Sequence, residues 1–130
     1  MRLGLAGLAL LLAAQLQPES KKPERWLGVF TALPGARLLC NQHVLGQSEG
    51  RRVEIQFSLY ATKRRPSETA RFYAKAHAVP WKTGSETITV KAAEGRKLLT
   101  VLAVSAPHPG CGVEPHPEDR TVIVVFEKVP

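Results

Sequence analysis

The chain has 130 residues, 44% of them hydrophobic, with 18 Lys and Arg against 11 Asp and Glu for a formal charge of +7. That length fits one domain with a real core and is short for two. The basic excess attracts polyanions, and the absence of a Gly-rich phosphate loop or dinucleotide fingerprint excludes the nucleotide-binding classes those motifs mark.

The N-terminus, MRLGLAGLALLLAAQ, combines Arg2, an apolar run from Leu3 to Leu12 and the small residues Ala13 and Ala14. This is the pattern of a cleaved secretory signal over residues 1–14. The run is too short for a membrane anchor, which needs about twenty apolar residues, and no cysteine follows it directly to take a lipid. Residues 15–32 are lysine-rich and punctuated by Pro18 and Pro23, which predicts a flexible leader and a domain over 33–130. Trp26, inside that leader, packs back or stays exposed; its context does not decide.

Pro34 and Gly35 form a turn, and Ala36 to Gln42 suit a first strand, followed by a loop at LGQSEG. In RRVEIQFSLYAT, Val53, Ile55, Phe57 and Leu59 alternate with polar residues and Tyr60, the signature of a half-buried strand. The period then changes. Thr69, Phe72, Tyr73 and Ala76 fall at i, i+3, i+4 and i+7 behind Pro66 at a first helical position, predicting a short amphipathic helix that is stable only when packed on a sheet. Trp81 follows and closes the core edge. Ile88 and Val90 share one face of the next strand, AEG turns the chain, and RKLLTVLAVSA is apolar on both faces and therefore central. A loop with four prolines and two glycines, 107–120, precedes a last apolar strand, TVIVVFEKV. The order β-β-α-β-β-β predicts an α+β fold: an antiparallel sheet of about five strands with one short helix across a face.

The Pro34-Gly35-Ala36 turn and strand, with the Pro66…Phe72-Tyr73 helix whose apolar pair is Thr69 and Ala70, resemble small uncharacterised exported bacterial domains built from a Pro-Gly-Ala turn and a Phe-Tyr helix. The likeness covers Leu33 to the C-terminus and implies fold and export, but no reaction. It also implies that a first-strand cysteine pairs with one before the last strand, which Cys40 and Cys111 would copy.

Both cysteines lie in near mirror-image stretches, CNQH (40–43) and HPGC (108–111). One reading is a disulfide, favoured by export and an even cysteine count. The other is zinc held by Cys40, His43, His108, Cys111 and His116, with Glu114 as the nearest general base for a hydrolytic version. Strand geometry opposes the second, because residues three apart point to opposite faces unless the strand bulges. A Ser-His-Asp triad needs a buried orienting carboxylate, and the single aspartate, Asp119, sits in the Pro-rich loop. Glu54 and Glu86 read as solvated rather than as a catalytic carboxylate pair. Arg51, Arg52, Lys63, Arg64, Arg65, Arg71 and Lys75 form a candidate basic patch for an anionic envelope component, with nucleic acid the poorest fit because stacking aromatics are missing. The expected function is a non-catalytic, secreted or periplasmic binding or structural module without a cofactor, which meets an anionic envelope component or another exported protein through its sheet face or its basic patch. The alternatives are the zinc protein and an enzyme inhibitor that presents the rigid loop from His108 to Asp119.

Overall fold

The computed structural model describes residues 24–129. The expected signal peptide, 1–14, and the leader as far as residue 23 lie outside the described residues. The described chain runs β1 (Arg25–Trp26), β2 (Phe30–Thr31), β3 (Arg37–Ser48), β4 (Arg51–Thr62), α1 (Pro66–Ala76), β5 (Ile88–Lys91), β6 (Lys97–Ala103) and β7 (Thr121–Val129). β1 and β2 form a small hairpin; the other strands form one antiparallel five-stranded sheet in the order β3-β4-β7-β6-β5. The fold is α+β, with α1 packed on one face of that sheet.

Local chemistry explains each element. β7 is the middle strand, with Thr121 to Val125 buried on both faces, which is why its sequence shows no alternation. β5, at an edge, shows a strict in-out pattern with Ile88 and Val90 buried. α1 starts at Pro66, whose missing N–H falls where the helix has no acceptor for it. Thr69 bonds back to the Arg65 carbonyl with its hydroxyl at 2.9 Å.

Three expectations shift. The first strand does not stop at Gln42 but continues to Ser48, because Glu49 (φ 54°) and Gly50 (φ 76°) alone make the turn. Positive φ at both central residues is the two-residue turn whose twist matches antiparallel strands. The helix presents Thr69, Ala70, Tyr73 and Ala74 to the sheet rather than Phe72 and Ala76. The two alanines let the helix backbone approach closely, and Phe72 packs edge-on against Tyr73 at the margin. Finally, the leader does not extend to residue 32. Trp26 and Phe30 are core residues, and Trp26 stacks on Tyr60 with ring centroids 3.8 Å apart. Burying an indole and a phenyl ring offsets the ordering of this short hairpin.

The core beneath α1 joins Tyr73, Trp26, Phe30 and Leu33 to Leu99, Val101, Ile123 and Val125 of the sheet. Trp81 packs on its edge and donates its indole N–H to the Ser85 carbonyl. His77, just past the helix, accepts the Thr31 backbone N–H at Nε2 (3.1 Å) and so ties the β1–β2 hairpin to α1. Burial, with help from the nearby Arg25 cation, holds His77 below the usual imidazole range, consistent with a neutral acceptor nitrogen.

Candidate functional site

The face of the sheet opposite α1 carries the site. Register places Cys40 beside Leu59, Gln42 beside Phe57 and Val44 beside Ile55. Across the next ladder Leu59 meets Val124 and Phe57 meets Phe126. Since paired residues share a face, the apolar side of β4 looks away from the helix. Its polar side, Glu54, Gln56 and Ser58, lies on the helix side of the sheet, where only Tyr60 of β4 joins the core packing. The alternation that sequence reading assigns to a half-buried strand therefore serves the second face.

One end of this second face is roofed. The loop between β6 and β7 folds over Leu59, Val122 and Val124, and Cys40 and Cys111 pack against that cluster. Two ties hold the loop to the sheet, and a third closes it on itself. Cys40 and Cys111 form a disulfide with Cα atoms 6.4 Å apart. Arg37 grips Asp119 through two hydrogen bonds, at 3.1 and 2.6 Å. Asp119 also accepts the His116 N–H at 2.8 Å while its own N–H donates to the His116 carbonyl. The Asp119 side chain is fully buried; Arg37 is the main reason its carboxyl sits below the usual range, and the His116 N–H adds to this against the opposing effect of burial. In the sequence Asp119 stands out only as an acid unsuited to a triad and as the end of the 108–119 loop. Its partner lies 82 residues away, and no local pattern signals the pair.

A bulge sets the disulfide. Between Leu38 and Cys40 the register slips by one residue, at Leu39. This flips Cys40 onto the roofed face. His43, three residues on, lies on the opposite face and meets Glu54 at 3.2 Å. His108 contacts its neighbour's carbonyl at Pro109, and His116 is exposed. The two sulfurs are joined to each other rather than free as thiolates, and no three His, Cys, Asp or Glu side chains converge among the described residues.

Beyond the roof the face opens into an apolar groove of about 400 Å³, lined by Val44, Ile55, Phe57, Leu102, Phe126 and, at the roofed end, Pro109 of the loop. Its size falls in the usual range of small-ligand pockets. Val44 is 43% exposed, and Phe57 and Phe126 are half-buried.

The candidate basic residues divide. Arg51 and Arg52 flank the β3–β4 turn, and Lys63, Arg64 and Arg65 stand at the far end of the same strand, roughly 35 Å away at the rise of an extended chain. Lys63 lies 3.9 Å from Glu118. Arg71 and Lys75 are exposed on α1, the helix that the 63–65 connection leads into. Sequence reading found the charges but missed the groove, because alternation reveals that one side of β4 is apolar and not which side of the sheet that is.

No helix among the described residues is long and apolar enough to cross a membrane. No family model, curated protein or solved structure matches the chain.

Proposed function

We propose that the protein is a non-catalytic binding module of an oxidising compartment and that it binds its ligand on the open sheet face. The observation that carries this reading is the direction of β4. Its apolar residues, Ile55 and Phe57, face the groove rather than the helix-side core. Apolar surface left half in water gains free energy from any fitting cover, about 25 cal/mol per Å² removed from water. The disulfide supports export, since such bonds persist outside reducing compartments, where a cleaved 1–14 leader would deliver the chain. The Asp119 carboxylate, the buried acid of the loop, is committed to Arg37 and to a backbone N–H, which suits a structural role.

Fluorescence of the uncharged dye N-phenyl-1-naphthylamine tests the reading. The oxidised protein is expected to enhance the dye, and Val44→Asp, at a half-exposed position that does not support the core, is expected to abolish most of the enhancement. A dye that ignores the protein, or binds wild type and variant alike, overturns it.

A second reading rests on the adjacency of Lys63, Arg64 and Arg65 to the start of α1: contact with an anionic envelope polymer. Such binding would weaken steeply with salt, so binding unchanged at high ionic strength rejects it.

A further inference from the structure

The groove is polarised along its length. At the roofed end Leu102, Val124 and Pro109 close it, and the one polar side chain in the lining, Thr100, has its hydroxyl 3.4 Å from that of Thr89. Towards the opposite end the same face changes character within one residue pair. Phe126 is followed, two positions on, by Lys128, which sits beside Ile55. Lys91 lies on that face beside Leu98, itself paired to Phe126, and Arg51 lies there beside Ser48, two pairs beyond Val53. All three cations are exposed. None of them is in an ion pair among the described residues, whereas Lys97, which register puts on the helix side, meets both Glu94 and Glu127. The acidic strand residues Glu54 and Glu127 also point to the helix side. The open face thus runs from a closed apolar end to an uncompensated cationic end. From Val124 to Lys128 this spans about 13 Å at the rise of a strand.

Resting on the reading of the groove as the ligand site, the geometry points to a single-chain anionic amphiphile, a medium-chain fatty acid, as the ligand: its alkyl chain along Phe57 and Phe126 towards Pro109, and its carboxylate between Lys128 and Lys91, with Arg51 in outer reach. A flat protein partner is a poorer match, because the roofing loop stands above the face at one end. A neutral apolar ligand would leave the lysines unused. The carboxylate stays at the cationic rim, in water, so it escapes the desolvation that makes buried charge expensive.

The test is displacement of N-phenyl-1-naphthylamine by laurate, dodecanol and dodecyltrimethylammonium, each below its aggregation threshold, from wild type and from the Lys91→Glu/Lys128→Glu variant. Both substitutions lie at exposed positions, and circular dichroism checks that the variant is folded. Laurate is expected to displace the dye at about a tenfold lower concentration than the cationic analogue, the effect of two exposed ion pairs. The charge-reversed variant is expected to erase or invert that order while still binding dye. Equal displacement by all three compounds overturns the fatty-acid assignment and leaves the groove reading standing. Failure of the wild type to bind dye at all removes the groove reading itself. Co-sedimentation with phosphatidylglycerol vesicles in the absence of laurate displacement assigns the cations to a membrane surface instead, and a dimer that Val44→Asp dissociates assigns the groove to a second copy; either overturns the proposal.

Discussion

The two faces of the sheet are held by different physics. On the helix side, Tyr73, Leu99, Val101 and Ile123 are sealed by α1 and the β1–β2 hairpin, and stability comes from close packing of side chains with no charge among them. On the other side three small patches of β-sheet, at Leu59, Val122 and Val124, are covered by a loop that has little apolar material of its own. That loop stays down through a covalent bond and an ion pair. The contrast teaches that a sheet can bury one face by sequence pattern and leave the other as a working surface, provided that something other than a hydrophobic element restrains its cover.

The largest test strikes the packed face. Tyr73→Ala removes a ring that is completely buried, and truncations of this kind destabilise by about 3–5 kcal/mol. Phe57→Ala, on the open face and half-buried, is expected to lose only about 1–2 kcal/mol by urea denaturation, because less surface returns to water. Equal losses would erase the distinction between the faces. Tyr73→Phe sharpens it in the other direction. The Tyr73 hydroxyl lies buried beside the Leu33 backbone without a hydrogen bond of good geometry, so its removal is expected to be neutral or to stabilise by up to about 1 kcal/mol.

Removing the cross-link strikes the other face. With a sequence separation of 71 between the cysteines, the loop-entropy model gives about 4 kcal/mol. Cys40→Ser/Cys111→Ser should therefore unfold at markedly lower urea. The readout that separates the faces is local: in native conditions amides of 105–119 should lose protection from hydrogen exchange while those of α1 keep theirs. Loss of protection in α1 to the same degree would mean that the disulfide holds the whole molecule rather than one roof.

The ion pair is the smaller of the two restraints. Asp119→Asn leaves Arg37 without its carboxylate and is expected to destabilise by about 2 kcal/mol, the usual worth of hydrogen bonds to a charged group. Its pH dependence has a fixed sign. Arg37 holds the folded carboxyl below its ordinary value of 3.8, so the unfolded chain takes up the proton first. The stabilisation is complete above 3.8 and disappears as pH falls through the folded value. Wild type and Asp119→Asn should differ at neutral pH and converge in acid. Parallel curves down to the acid limit would reject the pairing.

How far the sequence revealed this arrangement depends on how local each cause is. Pro66, the alternation at Ile88 and Val90, and the unbroken apolar run of β7 act within a few residues, and the fold class follows from them. The cysteine pairing was legible as one of two chemistries, because both act on the same residues. The β3–β4 turn was not, since glutamate seldom takes the positive φ of Glu49. Trp26 and Phe30 were hidden because strands of two residues have no period to detect. The rotated helix stripe shows that an alanine at a close contact can outrank a larger neighbour. The groove itself arises from a choice that alternation leaves open, the face on which α1 lands, and the Leu39 bulge that turns Cys40 towards the loop has no marker in composition.

The mildest perturbation returns to the packed face and to a support there that titrates near neutral pH. His77 receives the Thr31 N–H at Nε2 and stacks along Tyr73, with Arg25 nearby. Protonation would turn that acceptor into a donor facing another donor. Its folded pKa lies below the ordinary 6.5, so the unfolded chain protonates first, and the support is full above 6.5 and lost as pH falls through the folded value. The expected effect is local and under about 1 kcal/mol, the net worth of one hydrogen bond: exchange of the Thr31 amide should accelerate below that pH beyond its intrinsic dependence, with groove dye binding unchanged. In His77→Phe, which keeps the ring and lacks the acceptor, the Thr31 amide should exchange fast at every pH. A Thr31 amide equally protected in both proteins would show that aromatic packing alone anchors the N-terminal hairpin. Acid that released the dye as well would show that the two faces are coupled through the sheet, and the difference in how they are held would then be one of degree.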